Sequence, residues 1–181
     1  PNPPPPRWPE VYGVPSAVDE DSAPGAVLYR LTAQHTLLRV LGSESPELSM
    51  MSYNGGVPGP TLHARVGDKV TVEFTNELDQ PTTVHWHGMR VPELMDGNPR
   101  IVDPVPPGGR YTYTFVAPDA GTYWYHPHVR TNEQLERGLY GAFVVHEPDD
   151  PQPDREQLVL LDDLKLEGDD FAPFLHPDDR Q

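Results

Sequence analysis

The chain has 181 residues, enough for one full domain or one domain plus part of another. Hydrophobic residues make up only 36% of it, yet they gather between about Val27 and Glu147, so the middle can bury a core while the Pro-, Asp- and Glu-rich ends cannot. The formal charge of −15 argues against a nucleic-acid partner, the lack of cysteine excludes disulfides, Cys-rich zinc sites and iron–sulfur clusters, and no apolar run nears the roughly 20 residues of a membrane span.

Residues 1–26 read as an extended, partly polyproline arm, with Trp8 and Tyr12 as candidate anchors on the domain surface. The opening Pro1-Asn2-Pro3-Pro4-Pro5-Pro6 reads as a mature end or an artificial boundary, and no signal peptide is visible. Short segments with period-two alternation follow. Val70, Val72 and Phe74 alternate with Thr71, Glu73 and Thr75, and Tyr111, Tyr113 and Phe115 with Thr112 and Thr114. Further strands are predicted over 28–41, 61–66, 82–88, 121–127 and 140–146. Turn signals separate them, among them Asn54-Gly55-Gly56, Pro58-Gly59-Pro60, Asp96-Gly97-Asn98-Pro99 and Pro106-Pro107-Gly108-Gly109. Many short strands with Gly/Pro turns predict an all-β sandwich or barrel. The one helix candidate runs from Thr131 to Arg137, with Thr131 as its cap and Glu133 in its first turn.

Beyond Glu147 the run Pro148-Asp149-Asp150-Pro151-Gln152-Pro153-Asp154 reads as an interdomain linker, and Leu158-Val159-Leu160-Leu161 as one more strand. The expected organisation is an arm over 1–26, a domain over 27–147, and a linker with the first strand of a second domain over 148–181. That second domain is cut off, supplied by another chain, or absent.

Four of the eight histidines fall in two pairs, His85-Trp86-His87 and His126-Pro127-His128, both on predicted strands. Residues two apart on a strand share a face, so each pair presents two imidazoles side by side. Imidazole suits copper, zinc, nickel and iron. One such pair alone is as readily a surface or core pair; two in one small domain point to a metal. Backbone spacing within a pair, roughly 6.6–6.8 Å, favours two different metals over a shared one without forcing it. His35, His63, His146 and His176 read as isolated structural or surface residues. Trp86, Tyr123, Trp124 and Tyr125 interleave the pairs and read first as packing residues, with a redox relay as the alternative.

Tyr53-Asn54-Gly55-Gly56-Val57-Pro58-Gly59-Pro60-Thr61, Gly67-Asp68, His85-Trp86-His87-Gly88 and Gly121-Thr122-Tyr123-Trp124-Tyr125-His126-Pro127-His128 resemble, in order and spacing, the first domain of multicopper oxidases such as bacterial laccases and cuprous oxidases. The resemblance covers roughly residues 28–147 and the start of the next strand. It implies a cupredoxin-like Greek-key β-sandwich, and copper as the metal. In that family a type 1 copper in the third domain takes electrons from substrate, and a trinuclear cluster between the first and third domains reduces dioxygen to water. The resemblance makes His85 a ligand of type 2 copper, His87 and His126 ligands of one type 3 copper, and His128 a ligand of the other. Asp96 resembles the acidic residue that assists proton delivery at the cluster; its other reading is the turn-former of an Asp-Gly pair. The four methionines do not form the Met-rich insert of some copper-handling oxidases.

Half of the cluster ligands and the type 1 cysteine have no counterpart here. The chain is therefore expected to need the remaining cupredoxin domains, from the same polypeptide or another, to work on dioxygen and on a reducing substrate such as a phenol, an aromatic amine or a metal ion. The alternatives are a stand-alone copper-binding or copper-carrying module, and a homodimer joining two half-sites. A cupin-like mononuclear enzyme fits worse, because the second cluster is again His-X-His. By the resemblance the location is periplasmic or extracellular.

Overall fold

Alternation in the sequence becomes two faces in space. The computed structural model describes residues 11–12, 14–147, 149 and 156–174. In chain order the elements are β1 (Val11–Tyr12), β2 (Ala26–Leu38), β3 (Leu48–Tyr53), β4 (Gly59–Arg65), β5 (Lys69–Asn76), β6 (His85–His87), a 3-10 turn over Glu93–Met95, β7 (Arg110–Val116), β8 (Gly121–His126), α1 (Thr131–Gln134), β9 (Gly141–His146), β10 (Glu156–Gln157), β11 (Leu166–Glu167) and β12 (Asp170–Phe171). One four-stranded sheet runs β3-β2-β5-β7 and the other β4-β9-β8-β6. β2 pairs with β5 and β4 with β9 in parallel, and the remaining pairs within these two sheets are antiparallel. Since the chain passes between the sheets before these parallel partners meet, the result is the expected all-β, cupredoxin-like sandwich.

The inward set of one sheet, with Tyr29, Leu31, Val70, Val72, Phe74, Tyr113 and Phe115, meets that of the other, with Leu62, Ala64, Trp86, Tyr125, Phe143 and Val145. Aromatic rings fill the middle: Trp86 lies edge-on to Tyr113 at 5.5 Å and to Phe143 at 5.9 Å. Burial of this apolar area is the main force holding the sheets together.

β3 was not among the predicted strands. Its pattern is buried at every position but one, without alternation. The cause is that both faces are covered. Met51 and Tyr53 belong to the inter-sheet core, while Leu48 and Met50 pack on the other side against Phe171, with Leu164, Leu166 and Phe174 alongside. Residues more than a hundred positions away thus supply the second cover, and a local pattern cannot register it.

Four other expectations are corrected. The strand over 28–41 ends at Leu38 and that over 82–88 shrinks to His85–His87, because pairing stops there. The apolar run Leu158–Leu161 forms no strand; Val159 and Leu161 are 65% and 93% exposed, and the run pairs with no strand among the described residues. The helix is a single turn whose N-cap is Arg130 (φ 42°, ψ 47°), not Thr131, and no side chain caps it. Thr131 instead turns its hydroxyl back toward the Pro127 carbonyl at 3.4 Å.

The fourth correction concerns His63 and His146, which are not isolated. Parallel pairing of β4 with β9 brings them together from 83 residues apart, with Nδ1 of His63 at 3.0 Å from Nε2 of His146. The rings stack at 5.3 Å, and Ser16 Oγ lies 3.1 Å from the other nitrogen of His63. His35 is an exposed surface residue, as expected, beside Asp79. Trp8, His176, the side chain of Tyr12 and the 148–154 linker apart from Asp149 lie outside the described residues.

Candidate metal centre

β6 is the edge strand of its sheet and pairs with β8 over only three positions, His85↔His126, Trp86↔Tyr125 and His87↔Trp124. Trp86 and Tyr125 point into the core and are fully buried. Alternation therefore sends His85, His87, Trp124 and His126 to the outer face. His128 follows β8 beyond the last pair. Ring centroids of His85 and His128 are 4.0 Å apart, those of His85 and His126 5.2 Å, and those of His87 and His126 5.4 Å. The two predicted pairs converge on one patch.

Two sub-arrangements stand out. One ring nitrogen from each of His85, His126 and His128 lies within 4.8 Å of the others, a grouping that can hold a metal ion. His87 stands outside that trio. Its Nδ1 lies 3.1 Å from Nε2 of His126 across the strands. Two nitrogens each about 2 Å from a common ion are separated by roughly 2.8–3.3 Å for angles between square and tetrahedral, so this pair fits a shared ion. Within a single motif the rings of His85 and His87 stand at 78° and 5.6 Å. The closest nitrogens belong to different motifs, in keeping with the backbone spacing.

The chain also sets which nitrogen is free. Nδ1 of His126 donates to the Pro127 carbonyl at 2.9 Å, and Nδ1 of His85 donates to the Asp96 carbonyl at 2.9 Å with Asp96 Oδ1 at 3.1 Å. Each bond leaves Nε2 as the lone pair facing the patch. Trp124 stacks on His126 at 4.1 Å and on His87 at 4.8 Å, fixing ring planes. Burial pushes the imidazole of His126 down to about 4, against its bond to Pro127, and the neighbouring histidines add to that effect. His128 is lowered by burial first and then by His85. Neutral imidazoles are what a metal requires.

Asp96 ends the 3-10 turn, and its carboxylate lies behind His85 rather than between the histidines. Gly97, with φ +67°, passes so close to β6 that a Cβ would sit 2.1 Å from the Val84 carbonyl oxygen. The turn reading of Asp-Gly and a place beside the site therefore hold together. Trp86 donates from its indole to the Met95 carbonyl at 2.9 Å, tying the same loop to β6. The residues that sequence reasoning missed act mainly through backbone atoms, such as the carbonyl of Pro127, or through a generic hydroxyl: Thr83 Oγ1 accepts from the His128 N–H at 3.0 Å. Neither leaves a motif.

Residues 34–150 match the model of a family described as multicopper oxidase. Multicopper oxidase MmcO of Mycobacterium tuberculosis is 44% identical over 119 residues, which is 65% of this chain and 23% of that protein. Copper resistance protein A of Escherichia coli is 39% identical over 138 residues, 75% of this chain and 22% of that protein. The chain thus spans less than a quarter of the length of these relatives. A multicopper oxidase structure from Pseudomonas thermotolerans superposes with a TM-score of 0.76 at 40% identity, covering 84% of this chain and 37% of that one. A metallo-oxidase from Campylobacter jejuni superposes at 0.70 and 34% identity, covering 76% and 29%.

Proposed function

Because this chain belongs to the multicopper oxidase family, we propose that it supplies half of the trinuclear copper cluster of a laccase-like oxidase that reduces dioxygen to water. The histidine patch is a partial ligand set for type 2 and type 3 copper. In the finer reading His85 serves type 2 copper, His87 and His126 share one type 3 copper, and His128 serves the other. The 3.1 Å approach of His87 Nδ1 to His126 Nε2 carries it. In that reading the compact trio of His85, His126 and His128 would supply one ligand to each of the three coppers.

Copper would supply the one-electron steps and the binding of dioxygen. The chain's own residues orient and support: Asp96 and Pro127 fix tautomers, and Trp124 fixes ring planes. Asp96 lies at 30% side-chain exposure beside His85, which supports a part for it in passing a proton between solvent and the cluster. With no cysteine, the chain cannot provide a type 1 centre. Residues 27–147 are its first cupredoxin domain, 1–26 an arm and 148–181 the connection onward. The other ligands and the type 1 centre come from further cupredoxin domains, in the same polypeptide or another. The reducing substrate, a phenol, aromatic amine or metal ion, binds there. Similarity to copper resistance proteins supports a location outside the cytoplasm, periplasmic or extracellular.

The test is titration of Cu(II) into the chain, alone and with the Cys-bearing remainder of the oxidase. Weak binding alone that tightens with the remainder supports the half-site, and absence of histidine-bound copper in both sinks it. A second reading, a stand-alone copper carrier, is favoured by the trio alone, since three histidines can hold one ion without help. It predicts one tightly held ion per monomer and no gain from the remainder.

A further inference from the structure

Three pairs of residues hold β6 to β8, and His128 lies beyond the last of them. The ladder therefore does not fix how His128 meets His85. Yet their rings stack at 4.0 Å and 28°. Something outside the ladder sets that meeting.

The buried side chains nearby contain one that the copper site does not use. Gln134, at the end of α1, is 0% exposed. A buried amide costs several kcal/mol unless its hydrogen bonds are met, and an apolar residue would serve a one-turn helix as well. All its side-chain bonds go to one segment, the run leading into β6. Its Nε2 donates to Gln80 Oε1 at 3.0 Å and to the Pro81 carbonyl at 2.9 Å, and its Oε1 accepts from Thr82 Oγ1 at 2.7 Å. The next residue, Thr83, accepts from the His128 backbone N–H. Four consecutive residues, 80 to 83, are thus gripped by the loop that carries His128. The grip is anchored at the other end too. The Gln134 N–H donates to the Arg130 carbonyl at 2.9 Å, and its own carbonyl accepts from Leu139 at 3.0 Å. On the far side Asn76 Nδ2 donates to the carbonyls of Gln80 and Val105.

We infer that Gln134 is a positioning residue that sets His128 against His85 by locking residues 80–83 to the 128–134 loop. It touches no ligand atom and acts through Thr82 and Thr83. A single amide, bonded to Thr82 from 52 residues away, thereby joins the two His-X-His segments at the place where strand pairing has run out. Its consequence for copper rests on the half-site reading above; the positioning itself does not.

The test uses the full chain, unsubstituted and as Gln134→Met, which keeps length and packing but removes the amide. Thr82→Val removes one of the three Gln134 side-chain bonds, together with the longer 3.5 Å approach of the Thr82 hydroxyl to the Thr83 carbonyl, and serves as the milder second variant. Ring-proton NMR signals of His85 and His128 in the metal-free chain report their stacking directly. Both variants should move these signals, Gln134→Met more, while the His63 ring signals stay in place. Unmoved His85 and His128 signals in both variants overturn the inference, as does an equal movement at His63, which marks general loosening. Cu(II) affinity of Gln134→Met should fall on the order of tenfold, the lower end for outer residues that orient ligands. If the unsubstituted chain takes up no Cu(II), either alone or with the Cys-bearing remainder, the half-site reading fails, and the NMR comparison still decides the role of Gln134.

Discussion

His63 and His146 share a short nitrogen–nitrogen contact of 3.0 Å on the outer, covered face of the β4–β9 pair, at the far end of β9 from the copper patch. Burial pushes His63 down to about 4, and His146 adds to the shift. The unfolded chain, near 6.5 for the same group, therefore binds the extra proton first as pH falls. Stability is full above about pH 6.5 and is lost progressively toward pH 4. The loss attributable to His63 is about 3 kcal/mol, from the size of the shift at roughly 1.4 kcal/mol per unit. Urea unfolding of the metal-free chain at pH 7 and pH 4.5 checks it. His63→Phe, which cannot take the proton, should show a flatter dependence; an unchanged slope in that variant would refute the assignment.

The proposed ligand roles make a sharp forecast for the complete oxidase. His87→Ala or His126→Ala removes one side of the 3.1 Å pair. Loss of a ligand should exceed the 10- to 100-fold cost typical of its supporting residues, so dioxygen uptake should fall more than about a hundredfold. The visible absorption of type 1 copper should persist, because the proposal puts that centre in another domain. Full turnover by either variant would remove His87 and His126 from the cluster.

How much of this was legible beforehand follows from what is local. Val70, Val72 and Phe74 announce β5 because one face of that strand is buried and the other is not. His85/His87 and His126/His128 announce the centre because a strand shows alternate residues on one face, whatever the partner strand does. Met50 and Met51 hid β3, since their opposite covers come from distant parts of the chain. Gln134 belongs to no motif in the sequence; its burial follows only from the position of residues 80–82 in space. Leu158–Leu161 misled in the other direction, because an apolar run becomes a strand only where an edge awaits it.

Asp96 offers His85 two acceptors, its carbonyl at 2.9 Å and its carboxylate at 3.1 Å. Asp96→Asn keeps the carbonyl and an amide oxygen, so the ring should stay in place and copper content should be retained. What it loses is the proton-accepting charge. Turnover of the complete oxidase should therefore fall about ten- to a hundredfold. Oxygen uptake beside copper analysis separates the outcomes. Loss of copper in proportion to activity would make Asp96 a support for His85 alone, and unchanged turnover would deny it any part in proton delivery.

Phe171 anchors the segment after the linker to the sandwich. It is 8% exposed, packs on Leu48 and Met50, and carries the Arg137 guanidinium over its ring at 4.7 Å. The same guanidinium lies 5.0 Å from the Phe174 ring and donates to the Ser49 carbonyl at 2.9 Å. Arg137 thus bridges the 171–174 segment to β3. Phe171→Ala should cost about 3 kcal/mol, as large-to-small changes in a packed cluster do, and uncover the outer face of β3. The loss should be local, because Met51 and Tyr53 remain in the main core. Limited proteolysis should then cut within 164–174 well before the sandwich, while His85 and His128 ring signals stay unmoved. Equal resistance of that segment in the variant would show that the β11–β12 hairpin holds itself in place without the aromatic anchor.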